Sequence, residues 1–184
     1  DGNGIIIDSN QQYSYSGPTL IAGNLSFNNG GRGIHVFDSN NVDVINNTTY
    51  FNGKDTAVSG TYELGADDAA NVNFANNIAY ALTPQKIVIG IENSSNVLFK
   101  YNDLYNGTIY TTNSTNSPSP DSTNLLNVNP RFVAPSINPA TANFHLQTGS
   151  PALNAGAPLG QTLVDIEGKS IAGNTMVNLG AYMK

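Results

Sequence analysis

The sequence predicts an all-β solenoid: stacked coils of short strands, ending in an irregular C-terminal closing segment. Three observations lead there. A ten-residue pattern recurs at intervals of 23, 30 and 25 residues. Within it apolar and polar residues alternate, the period of a half-buried strand. Asn supplies 28 of the 184 residues, and Asn is a poor helix former but a good turn residue.

The pattern is clearest as Asn41-Val-Asp-Val-Ile-Asn-Asn-Thr-Thr-Tyr50 and Asn71-Val-Asn-Phe-Ala-Asn-Asn-Ile-Ala-Tyr80. It returns as Asn96-Val-Leu-Phe-Lys-Tyr-Asn-Asp-Leu-Tyr105, and a looser copy runs from Thr19 to Phe27. Aligned, the copies place Asn24, Asn47, Asn77 and Asn102 in one column and Phe27, Tyr50, Tyr80 and Tyr105 in a second. A further strand begins eight residues before the motif Val in three copies, at Ile34, Leu64 and Ile89, with Ile5-Ile6-Ile7 as its first-coil equivalent. In a parallel stack, equivalent residues of neighbouring coils lie about 4.8 Å apart. The Asn column then becomes a structural hydrogen-bonded ladder, and the aromatic column reads as an internal stack.

Composition narrows the function classes. The chain is 39% hydrophobic and 11% charged, with a net charge of −6, which suits one domain with a real core. The acidic balance speaks against nucleic-acid binding, which calls for clustered Lys and Arg. The longest apolar run is far short of the ~20 residues of a membrane span. With no Cys, disulfides, zinc–thiolate sites and a Cys nucleophile are excluded.

Residues 1–108 read as about four stacked coils, 109–124 as a polar Pro-containing loop, and 125–184 as final strands and a cap of the same domain. Because Asp1-Gly-Asn-Gly-Ile5 lies already inside a repeat, the sequence reads as the C-terminal part of a longer helix, or as a chain that oligomerises through an open N-terminal coil.

The repeat resembles right-handed parallel β-helix proteins of the pectate-lyase-like superfamily. The segment Phe144-His-Leu-Gln-Thr-Gly-Ser-Pro-Ala-Leu-Asn-Ala-Gly156 is similar to the one that closes many secreted bacterial members. Asn129-Pro-Arg-Phe-Val133 and Asn178-Leu-Gly-Ala-Tyr182 fit the same ending, although the family commonly carries an Asp where this chain has Asn178-Leu179. The resemblance implies a right-handed parallel β-helix, a secreted or cell-surface location and a polysaccharide partner.

Candidate chemistry clusters on the first strand of each coil. With Ile34 and Val36 inward, His35 faces out beside Gly65 and Gly90, the pattern of a groove floor. Arg32 aligns with Tyr62 at one end of this stack, and Lys86 falls one position earlier on its coil. Elimination from a uronate needs a base for the α-proton and a cation for the carboxylate, roles open to His35, Arg32 and Lys86. At the following turn the outward columns read Asp8/Phe37/Asp67/Glu92 and Ser9/Asp38/Asp68/Asn93. Asp67, Asp68 and Glu92, with Asp38 a coil away, are candidate ligands for Ca²⁺, which takes 6–8 oxygens. The other reading is a solvated acidic turn. Asp67 and Glu92 could also meet the about 5–5.5 Å spacing of a retaining glycosidase, but the Asp-rich and Gly-His-Gly signatures of β-helical hydrolases are absent. His145 reads as structural.

The leading expectation is a secreted polysaccharide-lyase-like β-helix acting by β-elimination on an acidic polysaccharide. The alternative is a non-catalytic glycan-binding or cell-surface structural β-helix. An ice-binding solenoid ranks below both, since Thr48 and Thr49 have no Thr partners in register.

Overall fold

In the computed structural model, which describes residues 2–171 and 173–183, five coils stack in parallel. Asp1, at which the first repeat was read to begin, lies outside the described residues, as do Ala172 and Lys184. The first coil holds β1 (Ile5–Asp8), β2 (Thr19–Ala22) and β3 (Leu25–Phe27); the second β4 (Ile34–Phe37), β5 (Asn40–Ile45) and β6 (Thr48–Tyr50). The third holds β7 (Tyr62–Asp67), β8 (Ala70–Ala75) and β9 (Ile78–Tyr80); the fourth β10 (Ile87–Glu92), β11 (Ser95–Lys100) and β12 (Asp103–Tyr105). The fifth is abbreviated to β13 (Thr108–Thr112) and β14 (Leu125–Leu126). Three parallel sheets result: β1-β4-β7-β10-β13, β2-β5-β8-β11 and β3-β6-β9-β12-β14. They are called here the first, second and third sheets.

Register makes every coil repeat the one below. Ile34, Leu64 and Ile89 pair in one column and Val42, Val72 and Val97 in another, and all six are wholly or almost wholly buried. Each such side chain contributes about 1.5–3 kcal/mol on leaving water. The internal aromatic stack is Phe74 on Phe99, 4.4 Å apart and nearly parallel.

Asn serves the coil twice. Four columns of corner residues adopt left-handed backbone, among them Asp38, Asp68 and Asn93; Asn41, Asn71, Asn96 and Asn116; Asn46 and Asn76; and Asn28, Asn106 and Asn127, with φ from 41° to 60°. Asn is one of the few non-Gly residues to visit this region at modest cost. The ladder column then ties coil to coil. Asn24 Nδ2 donates to Asn47 Oδ1 (2.9 Å), Asn47 to Asn77 (3.1 Å) and Asn77 to Asn102 (2.9 Å). Each Oδ1 also accepts the backbone N–H of the preceding Asn, and Asn47, Asn77 and Asn102 are fully buried. Asn124 adds a fifth rung, accepting from Asn102 at 3.1 Å.

Two expectations change. The stretch 109–124 is not a connecting loop but most of the fifth coil. β13 pairs with β10, Thr115 bridges to Ser95, and Ser117 Oγ accepts from Val97 N. Ser and Thr hydroxyls take over backbone pairing there, which erased the apolar alternation that marks a strand. The closing segment, in turn, runs back along the flank of the coils. It carries β15 (Phe132–Ala134) and β16 (Asn143–Leu146), then β17 (Leu163–Val164) and β18 (Ser170–Ile171), two antiparallel pairs. Asn46 Nδ2 donates to the Asn178 carbonyl, Gly180 N to the Asn76 carbonyl, and Ala181 N to Thr48 Oγ1. The aromatic column explains this course. Tyr50, Tyr80 and Phe27 point out of the solenoid and pack against Phe132 and Phe144, Tyr50 lying 4.9 Å from Phe144.

Candidate functional site

The first sheet turns its outer face to the candidate residues, and the expected columns hold. His35 pairs with Gly65, which pairs with Gly90, and Asp8, Phe37, Asp67 and Glu92 run in one line. What differs is exposure. Gly65 and Gly90 do not floor an open groove, because the Tyr62 ring lies flat over both. A Cβ at either glycine would collide with that ring. Tyr62 is itself 2% exposed and meets His35 edge-on at 5.6 Å, while Arg32 sits 5.0 Å over its face. His35 is consequently 3% exposed rather than protruding.

Burial sets the chemistry of this imidazole. Desolvation, helped by the Arg32 charge and opposed by Asp8, lowers the His35 pKa to about 3. It is therefore neutral at ordinary pH and a weak base. Neither ring nitrogen has a hydrogen-bond partner among the described residues, and the same holds for Arg32 Nε. Burial also raises the carboxyls of Asp67 and Glu92, Asp67 further through Asp68 and Glu92 through Asp67, with Arg32 drawing both back. Burial holds the Tyr62 hydroxyl far above its ordinary range.

These groups frame a cavity of about 210 Å³ lined by Ile6, Asp8, Arg32, His35, Phe37 and Asp67. Two carboxylates, a guanidinium and a neutral imidazole converge between an aliphatic and an aromatic wall. Arg32 has no carboxylate at ion-pair distance among the described residues, so its donors are not committed to one acid.

Of the predicted site residues, the structure gathers Arg32, His35 and Asp67. Lys86 is elsewhere: its Nζ donates to the Gly53 carbonyl at 2.7 Å, tying down the loop between β6 and β7. Asp38 and Asp68 occupy left-handed corner positions. Among the described residues no three His, Asp or Glu side chains gather closely enough to hold a metal ion. Asp67 and Glu92 are instead partners in register on adjacent strands, with Asp68 and Asp38 at the corners that follow. His145 is structural, holding Glu167 at 3.0 Å and lying against Tyr182.

Two residues escaped the sequence reading, and a third, Tyr62, entered it only as the register partner of Arg32. Tyr62 was legible in principle, since two glycines in adjacent coils leave room that a neighbouring large side chain must fill. Glu63 and Asp103 are buried carboxyls with no sequence signal beyond occupying apolar columns. Glu63 ends a second ladder, accepting from Asn52 N and Nδ2 at 2.8 and 2.6 Å, while Asn52 Oδ1 accepts from Asn29. Asp103 stands in register between Ile78 and Leu125 and is fully buried, and neither oxygen has a hydrogen-bond partner among the described residues. Among the described residues no helix is long and apolar enough to cross a membrane. No family model, no curated protein and no solved structure matches the chain.

Proposed function

We propose that this chain is a right-handed parallel β-helix of the pectate-lyase-like type, secreted or displayed at a cell surface, that binds glycan without cleaving it. The observation that carries the reading is the cavity between Ile6 and Phe37. A sugar ring presents hydroxyls that both donate and accept, and C–H faces that pack on apolar walls. Asp8 and Asp67 would accept from adjacent hydroxyls, Arg32 would donate, and the neutral His35 can do either.

The charge of the site favours a neutral saccharide. Asp8, Asp67 and Glu92 run in one column at the end of the first sheet, Asp38 and Asp68 occupy the following corners, and Arg32 is the nearby cation, a field that repels a polyuronate. Elimination is the less favoured reading, because its base would be an imidazole with a pKa of about 3 and Lys86 is held at Gly53. The test is titration calorimetry with neutral and uronate oligosaccharides. Neutral ligands should bind, and Asp67→Asn or Arg32→Ala should weaken them about tenfold or more, as loss of one charged hydrogen bond implies. Unsaturated product released from a polyuronate would overturn the reading in favour of a lyase. Failure of every neutral glycan to bind would also sink it.

A further inference from the structure

A second cavity lies away from the first sheet, between the third sheet and the closing segment. It measures about 440 Å³ and is lined by Tyr80, Asn129, Arg131, Phe132, Pro135 and Gln147, within the range of about 300–1,000 Å³ usual for ligand sites. We propose that it binds one anionic sugar unit, on residues separate from the neutral-sugar site proposed above.

Arg131 is the main support. It holds left-handed backbone at φ 54°, an uncommon state for a residue with a side chain. Asn129 Oδ1 pins it there by accepting the Arg131 N–H at 2.8 Å. One guanidinium nitrogen, Nη1, donates to the Gly149 carbonyl at 3.2 Å. A guanidinium has five N–H groups, and no carboxylate pairs with this one among the described residues. A positioned, unpaired guanidinium suits the bidentate grip of a carboxylate or sulfate.

The rest of the wall suits a pyranose. Tyr80 is half-buried and braced edge-on by Tyr105 at 4.6 Å, and it lies nearly parallel to Phe132. Burial and the neighbouring Tyr105 and Tyr50 push its hydroxyl up to about 12, which keeps it a donor. Gln147 Nε2 is committed to the Phe132 carbonyl at 2.9 Å, which turns its amide by that bond and leaves Oε1 to accept from a ring hydroxyl. An aromatic face for the C–H side, amides for hydroxyls and one free cation for the charge together describe an acidic sugar residue.

The site also spans two parts of the molecule. Tyr80 belongs to β9 of the solenoid, whereas Arg131, Phe132 and Gln147 belong to the closing segment. A ligand there clamps the segment to the coils, because it binds only the docked form.

The experiment titrates the full chain with a uronate trisaccharide, a sulfated trisaccharide and an uncharged one, with acetate and inorganic sulfate as ion controls. The uncharged trisaccharide should bind only at the first-sheet site and weaken in Asp67→Asn, whereas at least one charged trisaccharide should bind with an affinity that falls tenfold or more in Arg131→Gln, and which of the two does so identifies the source of charge. Arg131→Ala and Tyr80→Ala should abolish this binding of the charged sugar, while Tyr80→Phe retains the stacking. Arg131→Gln keeps a donor for Gly149 and serves if the alanine variant loses its dock. Asp67→Asn should leave this binding unchanged, which separates it from the first-sheet site. Ligand should also slow amide exchange across residues 132–146. Failure of both charged trisaccharides to bind, unaltered charged-sugar affinity in Arg131→Gln, or binding of acetate or sulfate alone (an adventitious ion only) would each overturn the proposal.

Discussion

Tyr62 meets His35 edge-on, ring centroids 5.6 Å apart, and so closes the face on which His35 would otherwise stand free. The aromatic ring occupies the room left by Gly65 and Gly90, which keeps the imidazole dry and neutral. One side chain thereby converts a candidate general base into a lining group of a small polar cavity.

Removing that cover should restore the base. Tyr62→Ala is expected to raise the His35 pKa from about 3 toward the unperturbed ~6.5, read by NMR titration of the imidazole. The same variant should lose about 3–5 kcal/mol of stability, as expected for truncating a buried aromatic ring. A His35 pKa that stays low would show that Tyr62 is not what desolvates it.

The ladder gives a graded series. Asn77 accepts from Asn47 N and Nδ2 and donates to the Val44 carbonyl and Asn102 Oδ1. Asn77→Ala leaves several buried groups unpaired at about 1–3 kcal/mol each, so chemical denaturation should show a loss of about 3 kcal/mol or more. Asn24, at the half-buried first rung, should cost about 1 kcal/mol on the same change. Equal losses at both sites would contradict the ladder as the source.

Two buried carboxyls predict that stability falls with rising pH. Burial alone raises Asp103 to about 8, and burial, partly offset by the Asn52 hydrogen bonds, raises Glu63 to about 7. Unfolded Asp and Glu titrate near ~4. Between these limits the folded chain holds protons that the unfolded chain has released, so their contribution is full below about 4 and is lost as pH climbs through 7 and 8. Each group gives a slope approaching about 1.4 kcal/mol per pH unit. Asp103→Leu should flatten the upper part of the curve, because its neighbours in register are Ile78 and Leu125. Denaturation midpoints measured from pH 4 to 9 check this, and a flat profile in the native chain would refute it.

Much of the coil was legible because a parallel stack repeats one environment at one position. Asn47, Asn77 and Asn102 share surroundings, so they share an identity, and the same holds for Val42, Val72 and Val97. The fifth coil was not legible because its strand β13 is rich in Thr and Ser side chains add to its pairing with the coil below. The aromatic column was seen, but its direction was not. Tyr80 and Phe74 look alike in sequence, and only the coil's corners turn one outward and the other inward.

The sequence by itself determined the stacked parallel coils, their register and the Asn ladder, since all three follow from local periodicity and from side chains that prefer tight corners. Tertiary structure alone decided which residues meet water. The flank course of the closing segment depends on Tyr50, Tyr80, Phe132 and Phe144 finding one another across more than fifty residues. The burial of His35 depends on a ring that crosses two coils. Contacts of that kind rest on shape and on space left by glycine, which no spacing rule encodes.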